Sequence, residues 1–321
     1  MTSEIYEHSS IVAAHLAVDI CNVENLNTLY EKPVDLAIIA HKKRYVKQKL
    51  FGKMLDHLVA NNYLEKQGEI YSLMEKWRRS LPPLSVSQGI LHEQGIYQIY
   101  PFMQTLAKNF VDIIKNDVSK LELQKLIYYI DSIDSSKGLH KIRSEIISAT
   151  NINSSVQSIL DISFGMGHSA IQLANTFPKR NIYSLQLNPL FSEAFEYTIQ
   201  KTQKTNLSYS TKYPSELLQK LRAEKVDAIF LFNPLGFESP ELEKILTIAN
   251  QVSHDGTKLL LHVPLTKKPK ETLIAEWLAE CIEVIDTYHN FDYYNVALSN
   301  NKFSVTKSTS HYFLADFDSS L

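Results

Sequence analysis

The stretch VQSILDISFGMGHSAIQLANTFPKRNIYSLQL, residues 156–187, constrains the fold more than any other part of the chain. Val156, Ile159, Leu160 and Ile162 form an apolar run of the kind a strand needs when helices cover both its faces. Gly165 and Gly167 follow at once, and a residue without Cβ lets the backbone turn tightly beside another group. From Ser169 the pattern AIQLANTF has helical spacing, and residues 182–187 read as a second strand. Strand, turn, helix and strand in this order present the free N–H groups of a helix N-terminus to a carboxylate or phosphate. The turn is not the dinucleotide pattern GxGxxG, and the second strand ends in Gln186 where that pattern calls for an acid.

The order of the later segments makes the case for an α/β fold. A third apolar strand, Val226-Asp227-Ala228-Ile229-Phe230-Leu231-Phe232, runs into the loop Asn233-Pro234-Leu235-Gly236-Phe237. A helix over 240–252 leads through His254-Asp255-Gly256 to a fourth strand at 258–263, and the tail, ending in SHYFLADF at 310–317, reads as a closing antiparallel strand pair. Alternating strands and helices predict a doubly wound, mostly parallel sheet with its ligand crevice at the strand C-termini.

Upstream, residues 8–20, 34–40 and 45–61 carry helical spacing, and Gln67-Gly68-Glu69 is a hairpin turn between Tyr63-Leu64-Glu65 and Ile70-Tyr71-Ser72. Pro82-Pro83 breaks the chain, and residues 85–94 read as irregular linker. Helices at about 96–116, 120–132 and 137–149 come next, rich in aromatic residues.

Three segments resemble a known family. ILDISFGMGHSA is similar to the first motif of class I S-adenosylmethionine-dependent methyltransferases, and VSHDGTKLLLHVPL to their later helix–Gly–strand segment. VKQKLFGKMLDHLVANNYLEKQGEIYSL, at 46–73, resembles the winged-helix dimerisation domain of the small-molecule O-methyltransferases. The resemblance runs from about residue 10 to about 265. It implies an all-helical winged-helix dimerisation domain at 1–95, connecting helices at 96–150 that roof the acceptor site, and a Rossmann-like domain at 151–321. It also implies S-adenosylmethionine as cofactor, a small aromatic or polyketide-like acceptor, and a homodimer.

Carried over residue by residue, the resemblance assigns Asp161, Ser163, Gly165, Gly167, Gln186, Leu187 and Asn233 to the cofactor, and Tyr100, Met103 and Tyr129 to the acceptor. The chain departs from the family at four points. Gln186 stands where an acid accepts both ribose hydroxyls, and an amide has only one acceptor atom to offer. Ser163 and Phe164 occupy positions usually held by glycine, and SYSTKYP at 208–214 lacks an acid for the adenine amino group. The usual catalytic histidine position falls on Leu235, which cannot take a proton. The candidates for a base are therefore His262 at the end of the fourth strand and Glu238, with His168, His289 and His311 behind them, while Asn233 is a candidate to accept an N–H bond at the same site.

With a net charge of -2, the chain carries no general field for nucleic acid or an anionic membrane. Lys42, Lys43, Arg44, Lys47 and Lys49 are a local basic cluster, the one feature favouring a ligand-regulated DNA-binding protein. A third possibility is a relative that has lost methyl transfer and runs a rearrangement, elimination or decarboxylation in the same site. Cys21 and Cys281 lie within apolar helical patterns and read as buried free thiols. No signal peptide or membrane span is legible, so a cytoplasmic protein without membrane or nucleic-acid partners and without a bound metal is expected.

Overall fold

A computed structural model describes residues 2–26, 31–74, 82–96, 99–116, 123–150, 152, 155–162, 165–232, 239–263, 277, 291–309 and 312–321. These fall into two compact units. One holds the described residues up to Ser132 together with Trp277, and the other those from Ile133 to Val263 and from Phe291 to Leu321.

The first unit opens with helix α1 (Thr2–Val23), strand β1 (Val34–Asp35) and helices α2 (Leu36–Lys43) and α3 (Gln48–Ala60). The expected hairpin is formed by β2 (Leu64–Gln67) and β3 (Ile70–Leu73), with Gly68 at φ +61 in the turn. β1, which the sequence pattern places inside a helix, instead pairs antiparallel with β3 through Val34–Tyr71 and Asp35–Ile70. Asp35 explains the difference, because its carboxylate accepts the Ala37 N–H at 2.8 Å and so starts α2 just after it. Residues 85–94 are also not irregular: helix α4 (Leu84–Glu93) begins right after Pro83 and buries Ser87 and Leu91. A proline is at home at a helix start, so Pro82-Pro83 marks a beginning as well as a break.

Helices α5 (Ile99–Asn116) and α6 (Leu123–Asp134) complete the series, the last two residues of α6, Ile133 and Asp134, belonging to the second unit. Ala13, Ala14, Ala17 and Cys21 are wholly buried on α1, small side chains that let α4 and α5 come close. Burial pushes the Cys21 thiol up to about 12, so it stays an inert, free, protonated thiol. Cys281 lies outside the described residues. Trp277 is also wholly buried and meets Phe110 edge-on at 5.3 Å. Within the basic cluster, the Lys43 ammonium donates to the Glu24 carbonyl, and Glu24 further accepts from Tyr45 and Lys115. Among the described residues, no helix is long and apolar enough to cross a membrane.

The second unit is built on a seven-stranded sheet. Its strands are β4 (Ser158–Asp161), β5 (Asn181–Leu185), β6 (Leu207–Ser210), β7 (Val226–Leu231), β8 (Ser253–His262), β9 (Phe303–Ser308) and β10 (Tyr312–Phe317), in the order β6-β5-β4-β7-β8-β10-β9. The first five run parallel, and β10 lies antiparallel between β8 and β9. The tail pair expected from SHYFLADF is thus present.

Side-chain alternation along the central strands divides the core in two. Leu160, Ile162, Ile229, Leu231, Leu259 and Leu261 join one cluster, and Ile159, Ala228, Phe230, Phe232 and Leu260 join the other. The first is covered by helices α10 (Glu216–Glu224), α11 (Ser239–Val252) and α12 (Phe291–Asn300). The second is covered by α7 (Lys137–Ala149), α8 (His168–Thr176) and α9 (Ser192–Thr202). Helices on both faces explain why these strands are apolar at nearly every position, and they make the sheet doubly wound.

Asp227 ties the sheet together at its N-terminal edge. Its Oδ2 accepts the N–H groups of Gln157 and Ser158 and the Ser158 hydroxyl, at 2.8–2.9 Å, and Oδ1 faces His254 Nε2 at 3.2 Å. Burial alone would raise the Asp227 carboxyl, but these donors outweigh it and hold the group below its usual value. A carboxyl lowered on folding contributes stability that is present above its unfolded value, near ~4, and is lost as pH falls through the folded value. Asp227→Asn should therefore cost about 1–2 kcal/mol in urea unfolding at neutral pH. The gap between variant and parent should close in acid; a gap independent of pH would contradict this account.

Candidate functional site

The sheet reverses its winding between β4 and β7, the two strands from which successive connections run outward in opposite directions. In an open α/β sheet the crevice beyond the strand C-termini at such a switch point is where ligands bind. The chain leaving β4 there is the glycine turn.

Asp161, the last residue of β4, is completely buried. Its Oδ2 accepts the hydroxyls of Ser184 on β5 at 2.8 Å and Ser169 in the first turn of α8 at 3.2 Å. The acid thus ties two strands' ends and the following helix to one another. Ser163 and Phe164 lie outside the described residues.

Gly165 and Gly167 both have positive φ, +112 and +85, a region that penalises any residue with a Cβ. Their missing side chains also leave room for two different neighbours. A Cβ on Gly165 would lie 2.8 Å from Asp134 Oδ2, and one on Gly167 would lie 2.8 Å from Ile199 Cδ1 and 3.0 Å from Phe195 Cε2. Gly167 therefore lets α8 pack against α9. It is also the N-cap of α8 and has no side chain with which to cap it.

Gln186 is buried and its amide is engaged at both ends. Nε2 donates to the Gly165 carbonyl at 2.7 Å, and Oε1 accepts the Asn188 N–H at 2.9 Å. The residue that takes the acid's place after β5 thus braces the glycine turn from inside. Leu187 is half-buried against the apolar cluster on the α10–α12 face.

A second polar assembly lies behind the turn. Arg143 on α7, buried, donates from Nη1 to Asp134 Oδ1 at 2.6 Å and from Nη2 to the Asp134 carbonyl at 2.7 Å. Its Nε donates to Gln172 Oε1 on α8 at 2.8 Å, and Gln172 Nε2 in turn donates to the His140 carbonyl and the Ser144 hydroxyl. Asp134 is 2 % exposed, and its Oδ2 has no hydrogen-bond partner among the described residues. Sequence reasoning passed over Asp134 and Gln172. The one available signal was a charged residue, Arg143, on the apolar side of an amphipathic helix among Leu139, Ile142, Ile146 and Ile147. Its partner sits before a helix break capped by Ser136, so no helical spacing links the two.

His262 closes β8 at the same edge of the sheet, in register with Tyr312 and beside Phe232, whose ring centroid is 6.1 Å away. It is buried. His168 opens α8 and is half-buried. Asn233, Leu235, Glu238, His289 and His311 lie outside the described residues. Of the residues assigned to the acceptor, Met103 is wholly buried on α5, Tyr100 is half-buried on the same helix, and Tyr129 lies on α6 with its side chain outside what is described. Among the described residues no group of His, Cys, Asp and Glu could hold a metal ion.

No family model matches the chain, and no curated protein matches it in sequence. Solved structures do match it in three dimensions. The CurJ carbon methyltransferase superimposes with a TM-score of 0.66 at 15% identity, covering 99% of this chain and 92% of that one. The DszA carbon methyltransferase gives 0.66 at 11% identity, over 98% and 90%. An O-methyltransferase family protein from Burkholderia thailandensis gives 0.51 at 13% identity, over 97% and 95%. The chain shares the fold of these proteins along nearly its whole length, with the Rossmann-like sheet in its second unit.

Gln186→Leu removes both amide bonds while keeping side-chain bulk, stranding the Gly165 carbonyl and the Asn188 N–H. Loss of about 1–3 kcal/mol in chemical unfolding is expected. Gln186→Glu, which turns the donor facing the Gly165 carbonyl into a second acceptor, should cost at least as much at neutral pH. If the two variants matched the parent in stability, the brace would not exist.

Proposed function

We propose that this chain is an S-adenosylmethionine-dependent methyltransferase acting on a small aromatic or polyketide-like molecule. The observation that carries the reading is the glycine turn, which ends at the sheet's switch point in a helix N-terminus whose N-cap residue, Gly167, has no side chain. The N–H groups of that first turn have no intrahelical acceptors, and the helix dipole favours a carboxylate there. The methyl donor's amino-acid end offers one. When bound, the donor supplies a methyl group on a sulfonium, electrophilic without further activation.

The chain's own part is to bind, orient and handle a proton. Asp161 holds the end of β4, the end of β5 and the start of α8 in one arrangement, so the turn is preformed. Holding donor and acceptor in line supplies much of the rate by itself. His262 is the base in this proposal. Its place at the C-terminal end of β8, two strands from β4 and so roughly 10 Å away at ordinary strand spacing, puts it within reach of a small acceptor beside the donor. Asn233 and Glu238 belong to the proposal as further polar groups of the β7 loop. Tyr100, Met103 and Tyr129, and assembly as a homodimer, are included through the family resemblance. The carbon methyltransferases of like fold make acidic carbon acids, such as β-dicarbonyl compounds, candidate acceptors alongside phenols.

One observation favours a second reading, a methyltransferase fold that no longer transfers methyl. Gln186 spends its donor on Gly165 and its acceptor on Asn188, which leaves the ribose without the paired carboxylate oxygens a family acid provides.

Titration calorimetry with S-adenosylmethionine and S-adenosylhomocysteine tests the donor. Saturable heat and an upward Tm shift growing with ligand concentration are expected. No heat and no shift at millimolar ligand would reject the methyl-donor reading. With labelled donor and a panel of phenols and β-dicarbonyl compounds, His262→Ala should lower methyl transfer about 10²–10⁴-fold while leaving donor affinity unchanged. A fall of less than about twofold would remove His262 as the base.

A further inference from the structure

The methyl donor's sulfonium carries three arms, and in the proposed binding mode two of them are taken. The amino-acid arm lies at the glycine turn after β4, and the methyl points to an acceptor beside His262, toward β8. The adenosine arm is left with the other side of the switch point, at the ends of β5 and β6. β6 lies two strands from β4, about 10 Å at ordinary strand spacing, a gap that a ribose and a purine together can cross.

The polar side chains at those two strand ends serve their own loops. Gln186 is engaged at both ends of its amide, Asn188 Oδ1 accepts the Leu190 N–H at 3.0 Å, and Ser210 Oγ accepts the Lys212 N–H at 3.2 Å. Thr211 donates its hydroxyl to Glu196 of α9. An aromatic surface, by contrast, stands open. Tyr213, in the loop between β6 and α10, is 46 % exposed. The Lys244 ammonium sits over its ring, 4.4 Å from the centroid, and among the described residues no other ring or cation meets it. Lys244 lies in the second turn of α11, so the pair links the two helices that begin at the ligand edge after β6 and β7 and cover the same sheet face. Leu187, just past the end of β5, packs on that face too.

We propose that the donor's purine stacks on the open face of Tyr213 while Lys244 braces the ring from the opposite face. Resting on the donor assignment, this makes Tyr213 the specificity-determining residue for the nucleoside end. A phenol ring and a purine both present flat π-faces, and stacking them asks nothing of the ribose hydroxyls. The nucleoside is then recognised by its base and not by its sugar. That accommodates Gln186 in the place of an acid and a β6 loop, SYSTKYP, that contains none. Lys244 is a positioning residue, since its cation–π contact fixes the plane on which the purine lies.

The test is calorimetry on the full-length protein with three ligands: S-adenosylhomocysteine, its 2′,3′-dideoxy analogue, and S-ribosylhomocysteine, which lacks the purine. The parent should bind the dideoxy analogue within about threefold of S-adenosylhomocysteine and S-ribosylhomocysteine at least about tenfold more weakly. Tyr213→Ala should weaken S-adenosylhomocysteine by about 5–100-fold, the range of a lost base–aromatic stack, and Tyr213→Phe, which keeps the ring, should restore parental affinity. Two results would overturn the inference and leave the donor assignment standing. One is a Tyr213→Ala protein that binds S-adenosylhomocysteine as tightly as the parent. The other is a loss of about tenfold or more when the ribose hydroxyls are removed, which would show that the sugar is held by hydrogen bonds after all. Failure of the parent to bind S-adenosylhomocysteine at all would overturn the donor assignment itself. Tyr213 is an exposed loop side chain whose replacement leaves the core untouched, and the ligand comparison on the parent needs no substitution.

Discussion

The buried guanidinium of Arg143 is the constraint on which the functional end of the molecule depends. Its three donated bonds join the last residue of α6, its own helix α7, and Gln172 on α8. Charge inside a protein is expensive to keep, and removing one member of such a pair leaves the other uncompensated at a cost of roughly 3–5 kcal/mol. The cluster is thus all-or-nothing. Helix α8 cannot shift along the sheet without breaking the Arg143–Gln172 bond, and the glycine turn that precedes α8 inherits that fixity.

A second carboxylate does for the strands what Arg143 does for the helices. Asp161 draws hydroxyls from β5 and from α8 onto one oxygen, at the point where the parallel strands deliver the chain to the ligand edge. Gln186 then closes the arrangement from the far side by bonding the Gly165 carbonyl. The turn is held by an acid, an amide and two steric absences. A loop so determined is preorganised, and a ligand that docks on it spends little of its binding energy on ordering the protein.

The two glycines show how one sequence signal can carry several causes. Gly-x-Gly after an apolar strand suggests a backbone laid bare for a ligand, and the positive φ values agree with a tight turn. Yet Gly167 also has to be glycine because Ile199 and Phe195 of α9 occupy the space its side chain would take. Gly165 has to be glycine because Asp134 does the same at its own position. Neither neighbour is near in sequence, so the spacing announced that side chains were excluded without telling what excluded them.

What the sequence alone determined is the alternation of strands and helices in the second unit, the glycine turn, the closing strand pair and the hairpin around Gly68. These follow from local rules: period-two and helical apolar patterns, and backbone conformations that only some residues adopt. It carried the helix at 34–40 back over the strand Val34–Asp35 and read the helix at 84–93 as linker, because an Asp35 cap sets the first helix start and Pro83 precedes the second. Only the tertiary structure decided the partners of the polar side chains. Gln186 read as a missing ribose ligand and proved to be a brace on Gly165, and Asp134 carried no motif at all. A buried polar group is recognised by what faces it across the fold, and a chain reveals that only when distant segments have been brought within hydrogen-bond reach.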